Sequence, residues 1–134
     1  MPLQHLNDGL YDHLAADSSL TTALGGTAIY HDMIPLNASL PAVTLGLQNG
    51  GPENDIPLDT ENVVYLVKCI STDSREAETI ADLIQTRLHE ADVTLDAPWS
   101  SVRCECEQFV SFGEQDAREQ FYHRGGLYRV QTSK

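Results

Sequence analysis

The sequence predicts an α+β fold, a mostly antiparallel sheet with two main helices packed on one face. The expected order is α-β-β-β-α-β-β, with a projecting β-hairpin loop. Three observations carry this. Leucines recur at three- and four-residue spacing in Leu3–Ala16, and Ala77, Ile80, Ala81, Ile84 and Leu88 do the same later, which marks two amphipathic helices. Alternating or continuous apolar runs at Pro41–Leu47, Val63–Ile70, Ser101–Phe112 and Glu119–Thr132 mark strands. At 134 residues and 41% apolar content, the chain makes one domain, 1–134, that buries roughly two-thirds of its unfolded surface.

The first helix places Leu3, Leu6, Leu10 and Leu14 on one face and carries Gly9 in its interior, at a cost of about 1 kcal/mol relative to alanine. Asp17-Ser18-Ser19 supplies cap chemistry for a short turn through Leu20–Leu24, which Gly25-Gly26 stops. Thr27–His31 reads as a brief strand. Pro41 suits the first position of the next, where Val43, Leu45 and Leu47 alternate with Thr44, Gly46 and Gln48. From Gln48 to Glu61 the pattern stops for fourteen residues, broken by Gly50, Gly51, Pro52 and Pro57 and charged by Glu53, Asp55, Asp59 and Glu61. A connection of that length inside a compact domain is functional or disordered. With Val63–Ile70 it forms the tip of a long antiparallel hairpin.

Asp73 and Glu76 have the spacing of a capping box for the second helix, which runs to about Glu90. Val93–Trp99 is a connection. Val102, Cys104, Cys106, Val110 and Phe112 share a face of the following strand. In the last strand, Gly125-Gly126 is a bulge, a bend or a hairpin turn. The bend is favoured, because the halves would make a poor isolated hairpin.

Twenty acids against eight bases give a formal net charge of −12, and only Lys68 and Lys134 are lysines. Such a surface repels phosphate backbones and anionic membranes. The acidity either lines a passage along which DNA slides or serves solubility or salt adaptation. No stretch approaches the roughly 20 apolar residues of a membrane span. The N-terminal Met-Pro-Leu-Gln-His-Leu lacks a basic region followed by an apolar run, so no signal peptide is read there and synthesis in the cytoplasm is expected.

Chemistry is hard to find. Cys69, Cys104 and Cys106 are an odd set that reads as free core thiols, and Cys-x-Cys alone is weak evidence for a metal. The histidines His5, His13, His31, His89 and His123 belong to no metal motif, His13 reading as a boundary residue and His89 as a partner for a helix C-terminus. GxSxG, Walker and GxGxxG patterns are missing. Glu105 and Glu107 share a strand face and could hold a cation or act as acid and base, but a solvated face accounts for them more simply. The loop carboxylates lack EF-hand spacing. Phe121, Tyr122 and Tyr128, interleaved with Arg124 and Arg129, fit an interface and a half-buried strand equally well.

The order of these pieces resembles the tail-terminator or tail-completion family of long-tailed bacteriophages. The resemblance is carried by Leu10-Tyr11 with Leu14, Ala16-Asp17, Leu20–Leu24, Ile29-Tyr30, Leu40–Thr44, the Val63–Ile70 strand, the Ala77–Leu88 helix and the Tyr122–Val130 strand. It implies a non-enzymatic virion protein, made in the host cytoplasm, with no cofactor and no metal. It also implies a homo-hexameric ring at the head-proximal end of the tail that ends tube polymerisation and joins the head connector or stopper. Partners would be other copies, the tail tube protein and the connector, with DNA passing through an acid-lined bore. Subunit or tail-tube contacts are then expected at Glu53, Asp55, Ile56, Leu58, Asp59, Glu61, Tyr122, Arg124 and Tyr128. The competing readings are another neck or stopper ring, a small acidic protein-binding module, and an enzyme built on Glu105 and Glu107 or a cysteine.

Overall fold

The computed structural model describes residues 4–52 and 60–134. In chain order the described elements are α1 (Gln4–Ala15), α2 (Ser18–Leu24), β1 (Ile29–His31), β2 (Ala42–Pro52), β3 (Thr60–Ser71), α3 (Ser74–Leu88), β4 (Ser100–Gln115) and β5 (Gln120–Ser133). The strands form one five-stranded sheet in the order β1-β2-β3-β5-β4. Only the β1–β2 pair is parallel; β2–β3, β3–β5 and β4–β5 are antiparallel. The expected α+β architecture is observed.

The helices form where the leucine spacing places them. Leu6, Leu10 and Leu14 of α1 are buried, as are Ala77, Ile80, Ile84 and Leu88 of α3; Leu3 lies outside the described residues. Gly9 has a packing reason. The segment after α3 crosses α1 there, and a Cβ would sit 3.0 Å from the Thr94 carbonyl oxygen. The short turn is a complete seven-residue helix. Asp17 caps it by accepting from the Ser19 N–H at 3.1 Å, and Gly25 closes it in the left-handed conformation. Asp73 caps α3 through the Arg75 N–H, but no reciprocal capping box forms. Glu76 instead accepts from the Ser71 hydroxyl at 2.8 Å, tying the helix start to the end of β3. His13 donates to the Arg87 carbonyl at 3.0 Å, and the Arg87 guanidinium donates to the His13 carbonyl at 2.8 Å, clasping α1 to α3.

Both long helices cover one sheet face. Val43 and Leu45 of β2, Val63, Tyr65, Val67 and Cys69 of β3, Cys104 of β4, and Tyr128 and Val130 of β5 join the helical leucines and isoleucines in a single core. Each fully buried side chain of this size contributes roughly 1.5–3 kcal/mol. Tyr65 and Tyr128 stand directly opposite each other at its centre, and the Tyr65 hydroxyl donates to Asn7 of α1 at 2.6 Å.

Two sequence expectations are corrected by register. Regular structure does not stop at Gln48. The register shifts there, and β2 then pairs onward from Asn49↔Val64 to Pro52↔Glu61. A bulge absorbs one residue and the ladder resumes, so the irregular stretch shrinks to residues 53–59, outside the described residues. Val110 and Phe112 do not share the face of Cys104 and Cys106. A bulge between Cys106 and Gln108 inserts one residue in β4, which sends every later side chain to the opposite face. For Gly125-Gly126 the hairpin-turn alternative is excluded: β5 runs through the pair as one strand, aligned with both β3 and β4.

Gly125 is required by proximity. A Cβ there would collide with the backbone at Val67 and Lys68, whereas nothing lies within 4 Å of one at Gly51. Gly125→Ala should therefore cost about 2–3 kcal/mol, and Gly51→Ala about 0.5 kcal/mol or less. Urea unfolding of the two variants measures the difference.

Candidate assembly interface

The bulge in β4 and the alternation of β5 determine what the uncovered parts of the sheet present. Beyond Cys106, β4 is an edge strand, with β5 on one side. Its outer half, Glu107–Gln115, is exposed except for half-buried Val110. Phe109 is 76% exposed and Phe112 is 44% exposed. The β4–β5 hairpin ends in an ordered turn. The Asp116 carboxylate accepts from the backbone N–H groups of Arg118 and Glu119, both at 2.8 Å. These bonds hold the Asp116 carboxyl below the ordinary aspartate range.

On the face away from the helices, a polar network lies under Phe112. Lys68 donates to His123 Nδ1 at 3.0 Å, and His123 Nε2 donates to Glu114 Oε1 at 3.0 Å. The Phe112 ring stacks on the His123 imidazole at 4.3 Å, with the Lys68 ammonium 4.7 Å from its centroid. Burial pushes the His123 pKa down, opposed by the hydrogen bond to Glu114, and it lowers that of Lys68 as well. The neutral imidazole is thus the form this arrangement favours.

The expected contact residues separate. Glu53, Asp55, Ile56, Leu58 and Asp59 lie outside the described residues. Glu61 faces α1, where it accepts from His5 at 3.1 Å, and the His5 ring stacks on Trp99 at 4.3 Å. Tyr122 is half-buried against the core. The Arg124 guanidinium lies 5.6 Å from the Tyr122 ring and donates to the Phe112 carbonyl at 3.1 Å. Tyr128 is 2% exposed and packs inside the subunit, so it offers no outer surface.

Alternation alone does not reveal Phe112, Lys68, His123 and Glu114 as a surface group, because the bulge brings Phe112 to their face; Phe109, opposite Gly126, is exposed on the other face of the edge strand. The charged sequence candidates are structural. Glu107 binds the Arg129 guanidinium, which also donates to Asn62 at 2.8 Å, and this holds the Glu107 carboxyl below its ordinary range. Glu105 pairs with Arg103 at 3.1 Å. His89 ends α3 and accepts from the Cys106 N–H at 3.0 Å. Burial pushes the Cys69 and Cys104 thiols up to about 12, which leaves them protonated and unreactive near neutral pH. Among the described residues, no group of three or more His, Cys, Asp or Glu side chains is placed to hold a metal, and no helix is long and apolar enough to cross a membrane.

The family model of the tail completion protein gp17 matches residues 8–130. The chain belongs to that family. Among solved structures it is similar to a chain in the virion of a native gene transfer agent particle, with a TM-score of 0.81 and 19% identity over 98% of this chain and 96% of that one. No curated protein matches. The structural likeness establishes the fold, and the family makes the chain a structural protein of a phage tail. It is a component of the virion tail or neck and associates with other tail and head proteins.

The lowered His123 pKa has a sign. The unfolded chain binds a proton near the ordinary value of about 6.5, while the folded chain resists it. Stability is therefore full above about pH 6.5 and falls as pH drops through the range below it. Urea midpoints between pH 7.5 and 5 should fall in the wild type and fall less steeply in His123→Gln.

Proposed function

We propose that the protein closes into a homo-hexameric ring at the head-proximal end of the tail. There it stops tube polymerisation and joins the tail to the head connector or stopper. Its membership of the tail completion family over residues 8–130 carries this reading. The fold supports it in two ways. Ring closure needs heterologous contacts, in which two different surfaces of one subunit meet those of its neighbours. The described chain offers distinct apolar surfaces. One is the β4 edge with Phe109 and Phe112; the other is the segment after β1, where Met33 and Leu36 are exposed. The β4 edge also leaves backbone donors and acceptors for an added strand.

The acidic composition supports a bore that DNA traverses without adhering. At a net charge of −12, few phosphate contacts could form. The residues between β2 and β3, Glu53, Asp55, Ile56, Leu58 and Asp59, are proposed on sequence grounds as a neighbour- or tube-facing segment. Glu61 anchors its base through His5, while Tyr122 and Arg124 buttress the β4–β5 hairpin.

Native mass spectrometry should show a six-subunit species, alone or on purified tails. Particles lacking the protein should carry tails of irregular length detached from heads; normal tails joined to heads would refute the terminator role. Phe109→Asp replaces an exposed side chain, so its folding stability should stay within about 0.5 kcal/mol of wild type while ring formation falls.

A further inference from the structure

We propose that a cleft between the segment after β1 and the β4–β5 hairpin receives an extended segment of another virion protein, one that carries an apolar side chain flanked by lysine or arginine. The cleft has a volume of about 890 Å³. Leu40, Ile70 and Phe121 give it an apolar lining, with Leu36 fully exposed beside them. Glu114 and Glu119 supply its charge, and among the described residues no lysine, arginine or histidine lines it. Partly apolar walls with a few placed charges are the composition of a recognition groove.

The rim is built. Glu114 keeps 62% of its side chain exposed while His123 holds its Oε1 from beneath, and Lys68 holds His123 in turn. Asp116 fixes the turn that carries Glu119 by accepting from the Glu119 N–H. One held carboxylate, Glu114, and a second carried on a fixed turn, Glu119, beside an apolar surface select a cationic, apolar occupant. A second copy is a poor match. The chain carries twenty acids against eight bases. Five of the bases, Lys68, Arg87, Arg103, Arg124 and Arg129, already bind groups of their own subunit. A different protein supplies the complement more readily. The inference rests on the virion role proposed above and names one partner chemistry for it.

The test uses methyl-labelled full-length protein and the acetylated, amidated peptide Lys-Leu-Phe-Lys, with Glu-Leu-Phe-Glu and Lys-Gly-Gly-Lys as controls. The first peptide should give saturable NMR shifts centred on the methyls of Leu36, Leu40 and Ile70. It should bind at least threefold more tightly than either control. The double variant Glu114→Gln with Glu119→Gln should weaken binding roughly three- to tenfold, the scale of two exposed ion pairs. Equal binding by the acidic peptide, shifts centred elsewhere, or no saturation would overturn the proposal. So would cleft shifts that depend on protein concentration without peptide, which would assign the groove to a second copy. Native mass spectrometry of the same samples separates the two readings. A ring with an unresponsive cleft ends this proposal alone, and a strict monomer that binds the peptide counts against the ring alone.

Discussion

The backbone of β5 at Gly125 lies closer to β3 than any side chain would permit, and much of the molecule follows from that approach. It fixes β5 in register with β3, which sets Tyr128 opposite Tyr65 and Val130 opposite Val63 on the helix face. The same register turns Lys68 and His123 to the other face. Side chains alternate strictly along a strand, so a slip of one residue would bury the lysine and expose the tyrosines. The core and the outer surface are therefore set together. The β4 bulge completes the arrangement. Its inner half contributes Cys104 to the core, and its outer half brings Phe112 over His123.

This division was partly legible in the sequence. Leucine spacing in α1 and α3 and alternation in β2 transferred directly to the fold, because both periods are local properties of the backbone. The interruptions did not transfer. A bulge depends on the partner strand, so the run from Cys104 to Phe112 looks like one face although it is two. Gln48–Glu61 reads as loop because Gly50, Gly51 and Pro52 have poor strand propensity, yet pairing with Glu61–Val64 overrides propensity there. Interface chemistry was legible only in type. The mixture of aromatics and arginines in β5 marked it as unusual. Burial then separated Tyr128 from Tyr122, and Phe109, at 76% exposure, emerged from a strand whose opening half had read as core.

The charged residues obey the same economy. The bases largely serve internal contacts: Arg129 spans Glu107 and Asn62, Arg124 spans Glu78 and the Phe112 carbonyl, and Arg87 clasps α1. The acids are left to dominate the surface. Exposed pairs of this kind contribute little to stability individually. Their larger effect is on the field outside the molecule, which the excess of acids over bases keeps negative.

That field constrains how such a subunit can assemble. Copies that each carry −12 repel one another, and at physiological ionic strength the repulsion extends over a screening length of about 8 Å. Any association must then come from contacts that work at shorter range, of the kind that exposed apolar side chains such as Phe109 and Met33 and the β4 strand edge can offer. Those contacts are directional, since a strand edge accepts a partner only in register. Long-range repulsion with short-range, directional attraction disfavours amorphous clustering and favours ordered contacts. The same negative field opposes binding of a phosphate backbone to the subunit.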